Sequence, residues 1–137
     1  MGLPSFEPPA DVAWAAPFWQ AIDRDALALP RCSICHAWQW YPDDAGPCCE
    51  GARFEWVDVA LDGTLHTWTR VQRPFLPGGK ADVPYVVAFV ELDGVDGLRL
   101  VTNLADDPAT PPVIGGRVQA TFVTANGRRR PLFVAAR

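Results

Sequence analysis

Arg31-Cys32-Ser33-Ile34-Cys35-His36, followed by Gly46-Pro47-Cys48-Cys49-Glu50, places four cysteines just ahead of a long run of strand-like segments. Cys32 and Cys35 have the spacing of a metal knuckle, in which a tight turn brings two thiolates to one ion. The second pair is adjacent, where a regular zinc ribbon keeps two residues between its cysteines. Between the pairs, Ala37-Trp38-Gln39-Trp40-Tyr41-Pro42 alternates bulky aromatics with smaller residues. That pattern suits one strand of a small β-ribbon wrapped around a metal, a scaffold too small to hold itself by apolar burial.

On the N-terminal side, residues 1–11 are rich in proline and read as an extended lead-in. From Asp11 the apolar positions Val12, Trp14, Ala15, Phe18, Trp19 and Ile22 recur three and four apart. This predicts an amphipathic helix with Asp11 as N-cap and Pro17 as an irregularity inside it. Leu27 to Arg31 is short and extended. On the C-terminal side the chain is strand-like to its end. Phe54 to Val59 alternates, and Asp62-Gly63 is a tight-hairpin dipeptide. In the strand Thr64 to Arg73, Leu65, Thr67, Thr69 and Val71 share one face, with His66, Trp68 and Arg70 on the other. A loop rich in proline and glycine covers residues 74–84. Strands are then expected over Tyr85–Leu92, Gly97–Leu104, Val118–Thr124 and Pro131–Ala135, with turns at Asp93-Gly94 and Asn126-Gly127. Five or six antiparallel strands with no intervening helix predict a small closed barrel, since closure removes exposed edges. The expected class is mainly β, in three parts: lead-in and helix (1–30), ribbon (31–55) and barrel (56–137).

A chain of 137 residues matches one ordinary domain or a small domain with an appendage. The formal charge of −4 and the lack of a basic stripe argue against a nucleic-acid partner, which is held mostly by phosphate electrostatics. The one basic run, Arg128-Arg129-Arg130, reads as a short solvated turn. No signal peptide and no apolar stretch of about 20 residues is present, so no membrane span is expected. A cytoplasmic, reducing location follows, where clustered cysteines bind metal rather than form disulfides.

The order of features resembles that of the acyl-CoA-associated OB-fold proteins with an N-terminal rubredoxin-like zinc ribbon. The residues carrying the resemblance run from about Phe18 to Phe133. They are Phe18-Trp19, Cys32-x-x-Cys35 with Pro42, Gly63-Thr64-Leu65-His66-Thr67-Trp68-Thr69, Pro84 to Leu92, Leu100 to Leu104, Ile114 to Val118, and Pro131-Leu132-Phe133. The resemblance implies a five- to six-stranded OB-fold barrel behind the ribbon. It further implies an accessory subunit in a hetero-oligomer with a thiolase-like enzyme of the lipid-transfer type, acting as an aldolase on a hydroxyacyl-CoA in steroid side-chain degradation. Service to a MaoC-like enoyl-CoA hydratase, or stand-alone acyl-CoA binding, is the alternative. The family's second knuckle reads Cys-Pro-x-Cys-Gly, and this chain departs from it with Gly46 at the first cysteine position.

Candidate ligands for a structural zinc are Cys32, Cys35, Cys48 and Cys49, with His36 as a substitute for one of the adjacent pair. No sign of an open coordination position with nearby acid–base groups accompanies them. His66 is the other histidine, a general base only if a carboxylate partners it; Glu91, Asp93 and Asp96 are the candidates. No nucleophile elbow, phosphate loop or dinucleotide fingerprint occurs. Phe18 and Trp19 are either core or partner-facing. Phe75 and Leu76, in the proline-rich loop, are expected to meet a partner. Arg70, Arg73, Lys80 and Arg99 are either CoA phosphate contacts or solvated surface.

Overall fold

The computed structural model describes residues 13–42, 46–74, 82–125 and 127–136. A 3-10 turn, Ala13–Ala15, runs into helix α1, Ala16–Asp23. Seven strands follow among the described residues: β1 Leu27–Cys32, β2 Phe54–Val59, β3 Asp62–Val71, β4 Tyr85–Leu92, β5 Leu100–Leu104, β6 Arg117–Ala125 and β7 Arg128–Ala135. Strands β1 and β2 form a two-stranded antiparallel sheet, and β3-β4-β5-β7-β6 closes into a barrel. The expected mainly β architecture, with a helix and ribbon ahead of a five-stranded barrel, is what forms. The boundaries expected after residues 30 and 55 fall inside β1 and β2.

Helix α1 buries Phe18, Ala21 and Ile22, the three-and-four spacing of a single apolar stripe. Pro17 lies in its first turn, where a missing N–H costs nothing, rather than as an interior irregularity. Asp11, the expected N-cap, lies outside the described residues; the residue at the cap is Ala15. The helix ends at Asp23, and just beyond its cap Asp25, with φ 57°, takes the chain into the left-handed region and turns it toward β1.

One apolar cluster joins all three parts. Phe18 and Ile22 from the helix and Leu27 and Leu29 from β1 pack with Leu65, Val86, Val90, Leu100, Val118 and Phe133 of the barrel. Ile22, Leu27, Leu29, Val86, Val90 and Phe133 have no exposed surface. The helix and ribbon are thus a lid on one side of the barrel, held there by shared burial.

The barrel departs from the sequence reading in further ways: β5 and β7 pair in parallel where only antiparallel strands are expected, and three local readings change. Asp62-Gly63 is not a hairpin turn but the first two residues of β3, and Gly63 lies between Leu92 of β4 and Val118 of β6. A Cβ there would sit 2.5 Å from the carbonyl oxygen of Glu91. Glycine serves close strand crossing here, not turn geometry. The strict alternation expected along β3 breaks at His66, where the register with β4 shifts between Leu65 and Thr67. The extra residue turns Trp68 toward the same core as Leu65. Finally, Arg128-Arg129-Arg130 is not a solvated turn. These residues open β7, and each is met by a partner from elsewhere in the chain or by burial.

Candidate metal centre

The first knuckle is a miniature hairpin at the end of β1. Cys32 N–H donates to Ala37 O and His36 N–H donates to Cys32 O, each at 2.9 Å, while Gln39 N–H reaches Pro30 O at 3.0 Å. Trp38 forms a single bridge to Arg31, so the aromatic stretch expected to be a full strand contributes one β-bridge. His36 adopts φ 61° to close the turn. The second knuckle is bracketed by Gly46 and Gly51, both left-handed at φ 82° and 76°, which fold Pro47-Cys48-Cys49-Glu50 back on itself. The two knuckles are tied directly. Ser33 N–H donates to Arg53 O at 2.9 Å, and Arg53 N–H donates to Ser33 Oγ at 3.0 Å.

This scaffold gathers the sulfurs of Cys32, Cys35, Cys48 and Cys49 within 4.8 Å of one another. Cys35 and Cys48 stand 3.3 Å apart, and Cys48 and Cys49 stand 3.9 Å apart. Four sulfurs around a tetrahedral zinc with bonds of about 2.3 Å lie roughly 3.8 Å apart, inside the observed range. The displaced second pair thus brings both of its thiols into the group, which does not include His36. All four cysteines are unpaired by disulfides.

The thiol electrostatics fit a site waiting for positive charge. The backbone N–H of Cys35 bonds to the Cys32 sulfur and, aided by that of Ile34, holds Cys32 down to about 6 despite its burial. Cys48 and Cys49, in contrast, resist ionising. Hydrogen bonding with Cys35 first, then Cys32, pushes Cys49 up to about 12, and Cys48 is raised chiefly by Cys35. A bound dication removes that mutual resistance and stabilises all four as thiolates. The residues present fit a metal, and its chemistry there would be to link the two knuckles.

The aromatics between the knuckles bind ribbon to helix. Trp40 stacks at 4.8 Å from Phe18, and Tyr41 stands 5.7 Å from Trp14. Phe18 is thus core, being 6% exposed, which removes it from a partner-facing role; its neighbour Trp19 keeps a partly exposed ring. Arg128 of β7 lies over that ring at 4.3 Å, and Arg129 makes a forked ion pair with Asp25 at the helix end. These contacts clasp α1 to β7 and were invisible in the sequence because they join residues about a hundred positions apart. Phe75, Leu76 and Lys80 lie outside the described residues.

His66 does have a carboxylate, Glu91, with Nδ1 to Oε1 at 3.4 Å. Arg99 takes the same oxygen at 3.1 Å. The group borders a cleft of about 610 Å³ at the β4–β5 turn, lined in part by Thr64, Asp93 and Asp96. Asp93 is held by a forked pair with Arg117, and Arg70 is forked onto Asp106 at 2.8 and 3.0 Å. Arg70 and Arg99 are therefore ion-paired within the chain. No helix among the described residues is long and apolar enough to cross a membrane.

A four-thiol ribbon docked on a five-stranded barrel defines a class: an OB-fold protein with an N-terminal thiol-knuckle ribbon. Residues 56–123 match the family described as ChsH2, C-terminal OB-fold domain. A solved structure described as the Ltp2-ChsH2(DUF35) aldolase is similar at 30% identity with a TM-score of 0.75, covering 95% of this chain and 100% of that one. The chain belongs to this ChsH2 (DUF35) family. A DUF35 protein of unknown function from Sulfolobus solfataricus shares the fold, with a TM-score of 0.57 at 15% identity over 91% of this chain and 87% of that one. A probable enoyl-CoA hydratase alpha subunit from Thermomonospora curvata is 37% identical over 89 residues, 64% of this chain. The chain spans about a quarter, 26%, of the length of that curated relative.

Proposed function

We propose that this chain is the non-catalytic, zinc-stapled subunit of an acyl-CoA-processing hetero-oligomer. Its partner in this reading is a thiolase-like lipid-transfer-type enzyme, a carbon–carbon lyase that cleaves a hydroxyacyl-CoA, with steroid side chains as the substrate class. The observation that carries the reading is the end-to-end similarity to a chain of a two-component aldolase. The chain's own chemistry agrees with a supporting role. Its thiols are drawn together to fold a ribbon, and the ion-pairing of Arg70 and Arg99 leaves them poorly suited to CoA phosphates. The zinc would hold Cys32, Cys35, Cys48 and Cys49 and so fix the ribbon that carries α1. In this reading the chain works in the cytoplasm, beside CoA thioesters.

A second reading, service to an enoyl-CoA hydratase, is favoured by the 89-residue similarity to a hydratase alpha subunit. Reconstitution separates the two. A thiolase-like enzyme of the lipid-transfer type from the same organism is purified with and without this chain, and each preparation is given a hydroxyacyl-CoA or an enoyl-CoA. The proposal expects cleavage of the hydroxyacyl-CoA to depend on the chain. Dependence of enoyl-CoA hydration in a neighbouring hydratase, with no effect on cleavage, would replace it with the second reading.

A further inference from the structure

The outer face of β3, β4 and β5 carries a contiguous uncharged patch. Val86, Ala88 and Val90 of β4 and Leu100, Thr102 and Leu104 of β5 point into the barrel and are buried. Their alternates face outward. The bulge at His66 turns Trp68 inward and so brings Thr67 and Thr69 to the outer face of β3. The register then lays Thr67 beside Phe89 and Phe89 beside Val101, with Thr69 beside Val87 and Val87 beside Asn103. These six adjoining side chains form a grid three strands wide.

None of the six carries a charge, in a chain that is 20% charged. Phe89 and Val101 are 41% and 42% exposed, so two large apolar side chains stand side by side in water, Phe89 on the central strand of the grid. Charge resumes at the border, where Glu91 is matched by His66 and Arg99. The outer side of β6 differs, with Arg117 and Gln119 exposed. An apolar centre with a polar rim is the anatomy of a protein interface. Because the rim charges are matched within the chain, the face offers neither sign to a partner. It complements an uncharged apolar protein surface and gives no hold to a nucleic acid or a CoA phosphate.

We propose that this face, centred on Phe89 and Val101, is where the partner enzyme of the hetero-oligomer docks. The inference rests on the reading of the chain as a subunit and adds to it the surface used. Its test compares wild type with Phe89→Lys, Val101→Lys and, as a control on the barrel's other side, Gln119→Lys. Each is first checked by thermal melting; should Phe89→Lys not fold, Thr69→Lys replaces it. Binding to an immobilised thiolase-like enzyme of the lipid-transfer type from the same organism is then measured by interferometry.

The expected result is roughly tenfold or greater weakening for the Phe89 and Val101 variants and wild-type binding for the control. Unchanged binding in folded Phe89 and Val101 variants overturns the docking surface and leaves the subunit reading standing. Failure of the wild type itself to bind overturns the subunit reading and this inference with it. Light scattering on the isolated chain supplies the last outcome. A dimer that Phe89→Lys dissolves, with partner binding untouched, would assign the face to a second copy and overturn the proposal.

Discussion

Gly63→Ala distinguishes the barrel described above from the hairpin that Asp62-Gly63 suggests. Gly63 sits between β4 and β6, paired with Leu92 on one side and Val118 on the other. A Cβ at this position would lie 2.5 Å from Glu91 O, 3.0 Å from Val90 Cγ1 and 3.1 Å from Glu91 C. Two of these three atoms are backbone and cannot rotate away, so β4 must shift and loosen its ladder with β3. Overpacking of this kind costs about 1–3 kcal/mol, and backbone obstruction argues for the upper half of that range. At roughly 3–5 °C per kcal/mol for a domain of this size, the melting temperature should fall by about 6–15 °C. Gly63→Asn sharpens the test. In a hairpin turn needing positive φ, asparagine is tolerated better than alanine. Between two strands, its bulkier side chain is at least as damaging. Thermal melts of both variants, followed by circular dichroism, decide the matter. An asparagine variant more stable than the alanine variant, or an alanine variant within about 2 °C of wild type, would refute the strand crossing.

Three further outcomes follow from the same structure. Purified wild-type chain should carry about one equivalent of zinc by elemental analysis, and Cys32→Ser should lose it together with thermal stability and solubility; a metal-free variant melting like wild type would sink the structural role of the site. Ile22→Ala empties a fully buried position shared by helix and barrel and should cost about 2–5 kcal/mol in a urea titration, whereas a cost under about 1 kcal/mol would mean the helix is not docked as described. Asp106 is held below the usual carboxylate range by its forked bond to Arg70. Because its folded pKa is the depressed one, its stabilisation is complete above the unfolded value of about 3.9 and is lost as pH falls through the folded pKa. Stability measured from pH 6 down to pH 2 should therefore drop less steeply in Asp106→Asn than in wild type; parallel curves would contradict the assignment.

Much of the fold was legible because barrel strands are buried on one face only. The alternation of Val86, Ala88, Val90 and Leu92 prints β4 directly into the sequence, and Val118 and Ala120 do the same for β6. The cysteine cluster was legible too, although nothing about adjacent Cys48 and Cys49 in one dimension shows that all four sulfurs come within 4.8 Å of one another. What stayed hidden depends on distant parts of the chain. A turn dipeptide and a close-crossing glycine look alike in one dimension, so Asp62-Gly63 was misread. A one-residue bulge at His66 leaves no local mark, yet it reverses Trp68 and uncovers the Thr67–Phe89–Val101 row. The three arginines at 128–130 are polar in any window, and only the approach of α1 gives Arg128 a ring and Arg129 a carboxylate.

The mass of the complex tests the central claim most directly. The chain is co-expressed with a thiolase-like enzyme of the lipid-transfer type from the same organism, carrying an affinity tag on the enzyme only, and the eluate is sized by light scattering. The account predicts a single hetero-oligomer containing both chains in fixed ratio, stable through gel filtration and holding zinc in proportion to this chain. An enzyme that elutes alone, with this chain separate, folded and at its own 15.0 kDa mass, would contradict it.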